Sequence, residues 1–563
     1  MSFVTDEKLL ARLLAIGAAF TTIFIVSGSV TDPVNVPKML SLGVISCAAI
    51  ATVLSSHLRG RLRDSRWLAI STLLFIFFMI ASVTMSDSPL SQNLYGAYGR
   101  NNGLLTYLFL SFILISAATL RSNFEFLTRA LLIAGLINVA YCLWVVSFGD
   151  FIGWSNPYGN ILGTLGNPNF IGSFLGIFFA AFLAMSIDRN SHRIFRFSAL
   201  LILPITAFEI IKSHAIQGRV VAALGVGIIG FLYIRGKFGR LVLSVYSVLV
   251  LATGTISLLG ALQIGPLTQF IYKTSVSLRG QYWLAGWNTG KSHPISGVGM
   301  DSFGDWYRRS RDAHALELPG PNTVVNAAHN VPLDIFAFGG LPLFLTYLLI
   351  IGFALVAAIR VVGRSKDFNP TFAILLTAWA GYQVQSVISI NQIGLAIWGW
   401  LLSGALIGFE IASRNPGQIP NELPRVKTSV RKSEVIQPRI VLAGSIGALA
   451  GLILALPPLT ADAKWRSGQV ARTVPAIEAT MIASYFNPQN VTKYLMNIQA
   501  FEDSKLFDLS HKYAIEALKW NPENFDLWRA IYFLKNSTSA EKRTALIKMK
   551  RLDPLNQDVT FTQ

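Results

Sequence analysis

His329 and Asn330 stand in the stretch NAAHNVPLDIFAFGGL, residues 326–341, where a polar-mixed segment gives way to a long apolar one. Histidine is the usual general base near neutral pH. Asn330 could orient that base or cap the helix that follows. The plainer alternative is a satisfied histidine at an interface. A second set of candidates is cationic: Arg100 in YGAYGRNNGLLTY, Arg219 in HAIQGRVVAALG, and Arg279 with Tyr282 and Trp283 in SLRGQYW. Each lies beside or within reach of an apolar run. A guanidinium offers paired donors to phosphate oxygens, so arginines in such places suit an anionic ligand. A snorkelling side chain is the alternative for Arg100, and a structural ion pair for Arg219. In GTLGNPNFIGSFL, Asn167 and Asn169 flank Pro168 in a turn before another apolar run. Asn169 could cap that helix, and a helix N-terminus facing a polar cavity binds anions. The run RRSR, Arg308 to Arg311, is expected to be a solvated face or a lipid-headgroup contact.

Metal chemistry finds little support in these patterns. There is no Asp-x-Asp, His-x-x-x-His or Cys-x-x-Cys, and the two cysteines, Cys47 and Cys142, sit in apolar runs as small hydrophobes. A site that handles phosphate would therefore rest on arginines, with no metal ligand set and no cofactor expected. No Walker-type phosphate loop is present either.

The elements that must position these residues are membrane helices. Of the 563 residues 52% are hydrophobic and 13% charged, where a soluble domain carries about a quarter charged residues. The mean hydropathy is +0.51. A bilayer core takes roughly 20 apolar residues per helix. Runs of that kind lie near 10–28, 39–56, 67–84, 103–120, 130–148, 169–187, 197–212, 220–234, 241–262, 336–359, 371–390, 394–412 and 440–458. The expected fold is an all-α polytopic membrane protein with about 13 transmembrane helices. The N-terminus leads straight into the first of these, which is expected to stay as a membrane helix.

The net charge of +18 is explained by position, not by nucleic acid. Loops such as HLRGRLRDSR, RGKFGR and RVVGRSKDF share one side with the N-terminus, and that side holds roughly 23 of the 47 Lys and Arg. The positive-inside rule makes it cytoplasmic. With 13 spans the C-terminal tail is then extracytoplasmic. The expected divisions are a polytopic domain over 1–458, with a large outer loop at about 263–335, a basic cytoplasmic linker over 413–439 and a tail over 459–563. In the tail Pro488, Pro522 and Pro554 stand 34 and 32 residues apart, two of them after helical patterns. That period resembles tetratricopeptide repeats, with Trp520 and Trp528 as packing residues. A generic helical tail is the alternative; either could meet another envelope protein or brace the outer loop.

The motifs GxxxRxxG around Arg100, GTLGNPN at 163–169, QGR at 217–219, RGQYWLAGW…HPISGVGMDSF at 279–303 and AHNVPLDIFAFGGL at 328–341 occur in that order. Together they resemble the bacterial O-antigen ligase, O-antigen polymerase and O-oligosaccharyltransferase superfamily, over about residues 90–410. The resemblance implies a metal- and nucleotide-independent glycosyltransferase of the GT-C type in the cytoplasmic membrane. Its donor would be a glycan on a polyprenyl diphosphate, typically undecaprenyl, and its acceptor a glycan, lipid or protein hydroxyl. By the same resemblance His329 activates the acceptor, while Arg279 and Arg219 bind the diphosphate. QGR stands where the family has Ser-Arg-Gly. From the residues themselves Arg100 joins the diphosphate binders, and Asn330, Tyr282, Asn167 and Asn169 the supporting set.

Three other readings remain open. One is a polymerase that extends lipid-linked glycan. Another is a transporter or flippase for lipid-linked sugars, which would show inverted repeats with broken helices near the midplane. The third is a scaffold whose tail recruits envelope enzymes.

Overall fold

The computed structural model describes residues 2–188, 192–266, 268–271, 274–414, 437–556 and 559. The regular structure of these residues is helical; strand-like pairing is limited to one isolated bridge between Ser484 and Asn487. From the N-terminus run α1 (Ser2–Ile23), α2 (Asn35–Ser55), α3 (Arg66–Met85), the short α4 (Leu90–Tyr95), α5 (Leu104–Ala118), α6 (Phe124–Phe148) and α7 (Pro168–Ile187). These are followed by α8 (Arg193–Lys212), α9 (Ile216–Lys237) and α10 (Arg240–Ala261). The large loop carries α11 (Thr268–Ile271), α12 (Thr274–Ser292) and α13 (Phe303–Ser310). Apolar sequence then resumes in α14 (Val331–Arg364), α15 (Pro370–Val387), α16 (Ile393–Ala412) and α17 (Pro438–Ala471). The tail consists of α18 (Val474–Met481), α19 (Val491–Asp503), α20 (Phe507–Trp520), α21 (Phe525–Phe533) and α22 (Ser539–Leu552).

Every one of the thirteen expected runs falls on a helix. Ten of these helices are long and apolar enough to cross a membrane among the described residues. The exceptions are α5, which is apolar but only 15 residues long, α1, whose first turns hold Asp6, Glu7 and Lys8, and the 18-residue α15. The chain is thus a polytopic, all-helical membrane protein. Most of the basic linker, residues 415–436, lies outside the described residues. Helix α17 runs unbroken past residue 458 to Ala471; at 34 residues it spans about 51 Å, well beyond a hydrocarbon core of about 30 Å.

Small residues set the packing. Apolar burial drives helices together weakly in lipid, so close backbone approach at glycines takes its place. Gly447 and Gly451, four apart on α17, press against the Cys47 and Gly43 carbonyls of α2. Gly172 and Gly176 of α7 meet Gly218 and the Val221–Ala222 turn of α9, and Gly404 and Gly408 of α16 meet carbonyls at 114–120. Helices α7 and α16 are the central ones, with most of their apolar windows buried, whereas α10 buries none of its window and is peripheral. At one end, Lys38 Nζ donates to the carbonyls of Thr21, Thr22 and Phe24 at 3.1, 2.6 and 3.0 Å, closing the C-terminal turn of α1. Asp462 of α17 accepts from the Thr31 and Asp32 amides at 2.7 and 2.8 Å and pairs with Lys493 of α19 at 3.0 Å. It joins the membrane helices, the first loop and the tail at that end.

Candidate active site

The site is framed by a broken helix. Helix α14 departs from helical geometry at Gly339 and Gly340, the latter with φ of 66°, so that residues 331–338 form a short arm ahead of the membrane-crossing part. The break frees carbonyls, and the 294–299 loop takes them. The Val298 and Gly299 amides donate to Ala337 and Phe338 oxygens at 3.0 and 3.1 Å, and Leu341 N donates to Pro294 O at 2.7 Å. Ser82 of α3 adds a bond to Phe338 O at 2.6 Å. A Cβ on Gly297 would collide with the Phe338 carbonyl, and one on Gly340 with that of Pro294. The glycines of HPISGVG and FAFGGL thus allow two loops to lie backbone against backbone.

The arm carries His329 just before its start. His329 adopts a left-handed φ of 55°, a conformation in which non-glycine residues gather at functional sites. Two bonds hold the turn. Asp334, buried in the first turn of α14, accepts from Ala328 N at 2.6 Å, and Trp283 Nε1 donates to the His329 carbonyl at 3.4 Å. The Tyr282 ring lies against the imidazole with centroids 5.3 Å apart. The imidazole itself makes no hydrogen bond to another described residue. Burial first, then the charges of Arg100 and Arg279, pull its pKa from 6.5 down to about 3. Histidine 329 is therefore neutral and faces two guanidiniums.

Those arginines come from different directions. Arg279, on α12, donates from Nη1 to Ser275 O at 3.2 Å and leaves Nε buried without a partner. Burial lowers its pKa. Arg100 sits half-buried in the loop between α4 and α5; burial lowers its pKa too, against the pull of Asp301 and Asp334. Asp301 positions the Arg100 loop by accepting from the Ala97 and Asn102 amides at 2.7 and 3.2 Å, and burial pushes its own pKa to about 6. Asn93 steadies the same junction, taking Met300 N at 2.7 Å. Asn102 Nδ2 donates to Asn391 O at 2.9 Å, tying the Arg100 loop to the start of α16. Such an arrangement can bind a polyanion between two arginines while a neutral imidazole waits beside it to take a proton. Among the described residues no three His, Cys, Asp or Glu side chains gather as a metal set.

Not every expected residue joins the cluster. Arg219 lies exposed on the first turn of α9 and makes no hydrogen bond or ion pair with another described residue. The capping role expected of Asn169 belongs to Asn167, whose side chain accepts from Asn169 N at 2.9 Å; with Pro168 in the first helical position, only the residue before the proline can be the cap. Asn330 caps α14 by accepting from Leu333 N at 3.1 Å and does not orient His329. The RRSR run is not a solvated or lipid-facing patch. Arg308 and Arg311 both pair with the fully buried Asp553 of the tail at 3.0 and 2.9 Å, and Arg309 pairs with Glu523 at 2.7 Å. Asn524 completes the dock with a 2.7 Å bond to Asp305. Trp520 and Trp528 pack within the tail's own core, as expected.

Asp301 and Asp334 were not singled out in the sequence, although both lie inside quoted motifs. Their partners are backbone amides, Asp301's some 200 residues away and Asp334's in a turn whose shape the sequence does not display.

Residues 205–348 match the family model described as O-antigen ligase, a stretch that takes in Arg219, Arg279, His329 and the broken arm of α14. A search of curated proteins gave no match. The match supports a membrane protein that transfers glycans in the ligase or polymerase manner. Residues 205–348 of this polytopic, helical membrane protein are thus similar to the O-antigen ligase family.

Proposed function

We propose that the protein moves a glycan from a polyprenyl-diphosphate lipid to an acceptor hydroxyl on the extracytoplasmic side of the cytoplasmic membrane. The observation that carries this reading is the neutral, hydrogen-bond-free imidazole of His329 facing the guanidiniums of Arg100 and Arg279. The lipid diphosphate lies against the two arginines, with Arg219 meeting it along the lipid path, and the buried Nε of Arg279 gains the partner it lacks. The acceptor oxygen attacks the anomeric carbon while His329 takes its proton. The bond from that carbon to the diphosphate oxygen breaks, and polyprenyl diphosphate leaves with the electron pair. Negative charge grows on the leaving group, so pre-placed arginines favour the transition state over the ground state. The sugar–diphosphate bond supplies the energy, with no nucleotide, metal or cofactor. Inversion at the anomeric carbon is what the superfamily resemblance implies.

Diphosphate binding also activates the base. Its negative charge offsets the two cations that depress His329, so the imidazole becomes more basic when donor is in place. An empty site holds a weak base and a loaded site a stronger one, so the imidazole gains basicity only when a donor is there to be attacked. The helical tail, which we read as a tetratricopeptide-like array, braces the outer loop through Asp553 and leaves its other face for an envelope partner.

The test is glycan transfer by purified wild type and His329→Ala in nanodiscs, with undecaprenyl-diphosphate glycan, a crude envelope acceptor and a chelator. Transfer by wild type that drops at least 10²-fold in a folded His329→Ala supports the reading. Equal transfer by both removes His329 from the chemistry.

A further inference from the structure

A cavity of about 130 Å³ lies between the outer loops and the tail, and none of the chemistry above uses it. It shares Asp301, which holds the Arg100 loop, with the site. Ala97 lines it three residues before Arg100, and Asn326 three residues before His329. Its far wall belongs to the tail, from Gln489, Thr492 and Trp520. Asn326 and Thr492 are exposed, so the cavity opens to solvent.

The lining has a definite chemistry. No lysine, arginine or histidine contributes to it, which disfavours an anion. The three carboxylates at its border are already engaged: Asp301 by the Ala97 and Asn102 amides, Asp305 by Asn524 and Gln92 at 2.7 and 3.2 Å, and Asp526 by Arg308 at 3.3 Å. That leaves little to attract a cation. What remains are aromatic surfaces from Tyr98 and Trp520 and the uncharged groups of Asn326, Gln489 and Thr492, whose side chains bond to no other described residue. Aromatic faces with planar amides and hydroxyls match a sugar ring, apolar on one face and ringed by hydroxyls.

We propose that this cleft is a subsite for uncharged sugar units of a glycan that passes the His329 loop, with the tail forming half of its wall. The proposal rests on the glycan-transfer reading above. The sugars could belong to the donor glycan or to the acceptor, and the experiment separates the two. Full-length protein in nanodiscs is titrated with two lipid-free probes: oligosaccharide cut by mild acid from the cell's lipid-linked glycan, and the delipidated envelope glycan that serves as acceptor. Wild type and His329→Ala are expected to bind one probe saturably, and the probe that binds names the source. Thr492→Trp, which fills the cleft from the tail side, and Asn326→Leu, which removes its amide from the other, should each weaken that binding at least tenfold. Failure of both probes to bind wild type, or binding unchanged in both variants, overturns the subsite. Transfer measured in parallel keeps the two ideas apart. Binding without transfer by wild type would count against the transferase and leave the subsite standing, whereas transfer without binding would do the reverse.

Discussion

The state of His329 can be measured directly. Its pKa of about 3 in place of 6.5 means that protonating the empty site costs roughly 5 kcal/mol more than protonating a free imidazole, at 1.36 kcal/mol per unit. At pH 5.5 a free imidazole is about nine-tenths protonated, while His329 stays neutral. The perturbation is Arg100→Gln, which removes the larger of the two cationic contributions and should raise the pKa by about one unit. Adding undecaprenyl diphosphate to wild type should raise it by about one to three units. The assay is NMR of protein labelled at histidine Cε1, with the His329 signal assigned by its loss in His329→Asn. The wild-type signal should stay unshifted from pH 8 to 5 without ligand and begin to titrate in that range with it. In kinetics the acid limb of kcat, which reports the loaded enzyme, should lie above that of kcat/KM, which reports the free one. The sign for stability follows. The folded state binds fewer protons than the unfolded state between pH 3 and 6.5, so this group withdraws stability as pH falls through that window and contributes no pH dependence above it. A ligand-free His329 signal titrating near 6.5 would refute the reasoning.

Three further outcomes are expected. Arg279→Ala should lower kcat on the order of 10²-fold or more, with partial recovery in Arg279→Lys, because lysine restores the charge but not the planar fork; steady-state transfer rates check this. Asp553→Ala leaves Arg308 and Arg311 without their buried counter-charge, which should cost about 3–5 kcal/mol of tail docking and appear as faster hydrogen exchange in 305–312 and in α22. Gly340→Ala places a Cβ against the Pro294 carbonyl at a positive φ; it should abolish transfer and lower the melting temperature, while Gly352→Ala, with open space around it, should change neither.

The membrane helices were legible because a bilayer imposes length and composition together, and all thirteen apolar runs lie on helices. Their ends were less so: α17 continues thirteen residues past 458 as a helix that has left apolar sequence behind. The cluster of His329, Arg100, Arg279 and Tyr282 was readable as a set of residue types, since each is out of place beside apolar sequence. Geometry was the hidden part. Nothing local separates Asn167 from Asn169 as a cap until the proline is placed in the helix. RRSR resembled a solvated run because its counter-charge, Asp553, lies 242 residues downstream of Arg311. Asp301 and Asp334 escaped for the same reason, since a carboxylate bonded to backbone amides leaves no pattern in side-chain chemistry.

That separation along the chain has a bearing on biogenesis. At about 5–20 residues per second, the 242 residues between Arg311 and Asp553 take roughly 12 to 48 seconds to synthesise. Throughout that interval the loop that carries Arg308 and Arg311 is already made, yet two guanidiniums destined for burial have no carboxylate to meet. Completion of the loop must wait for synthesis of the tail, so a chain that stalls before Asp553 would display an unfinished loop with two unpaired buried-type cations, a mark for proteolysis.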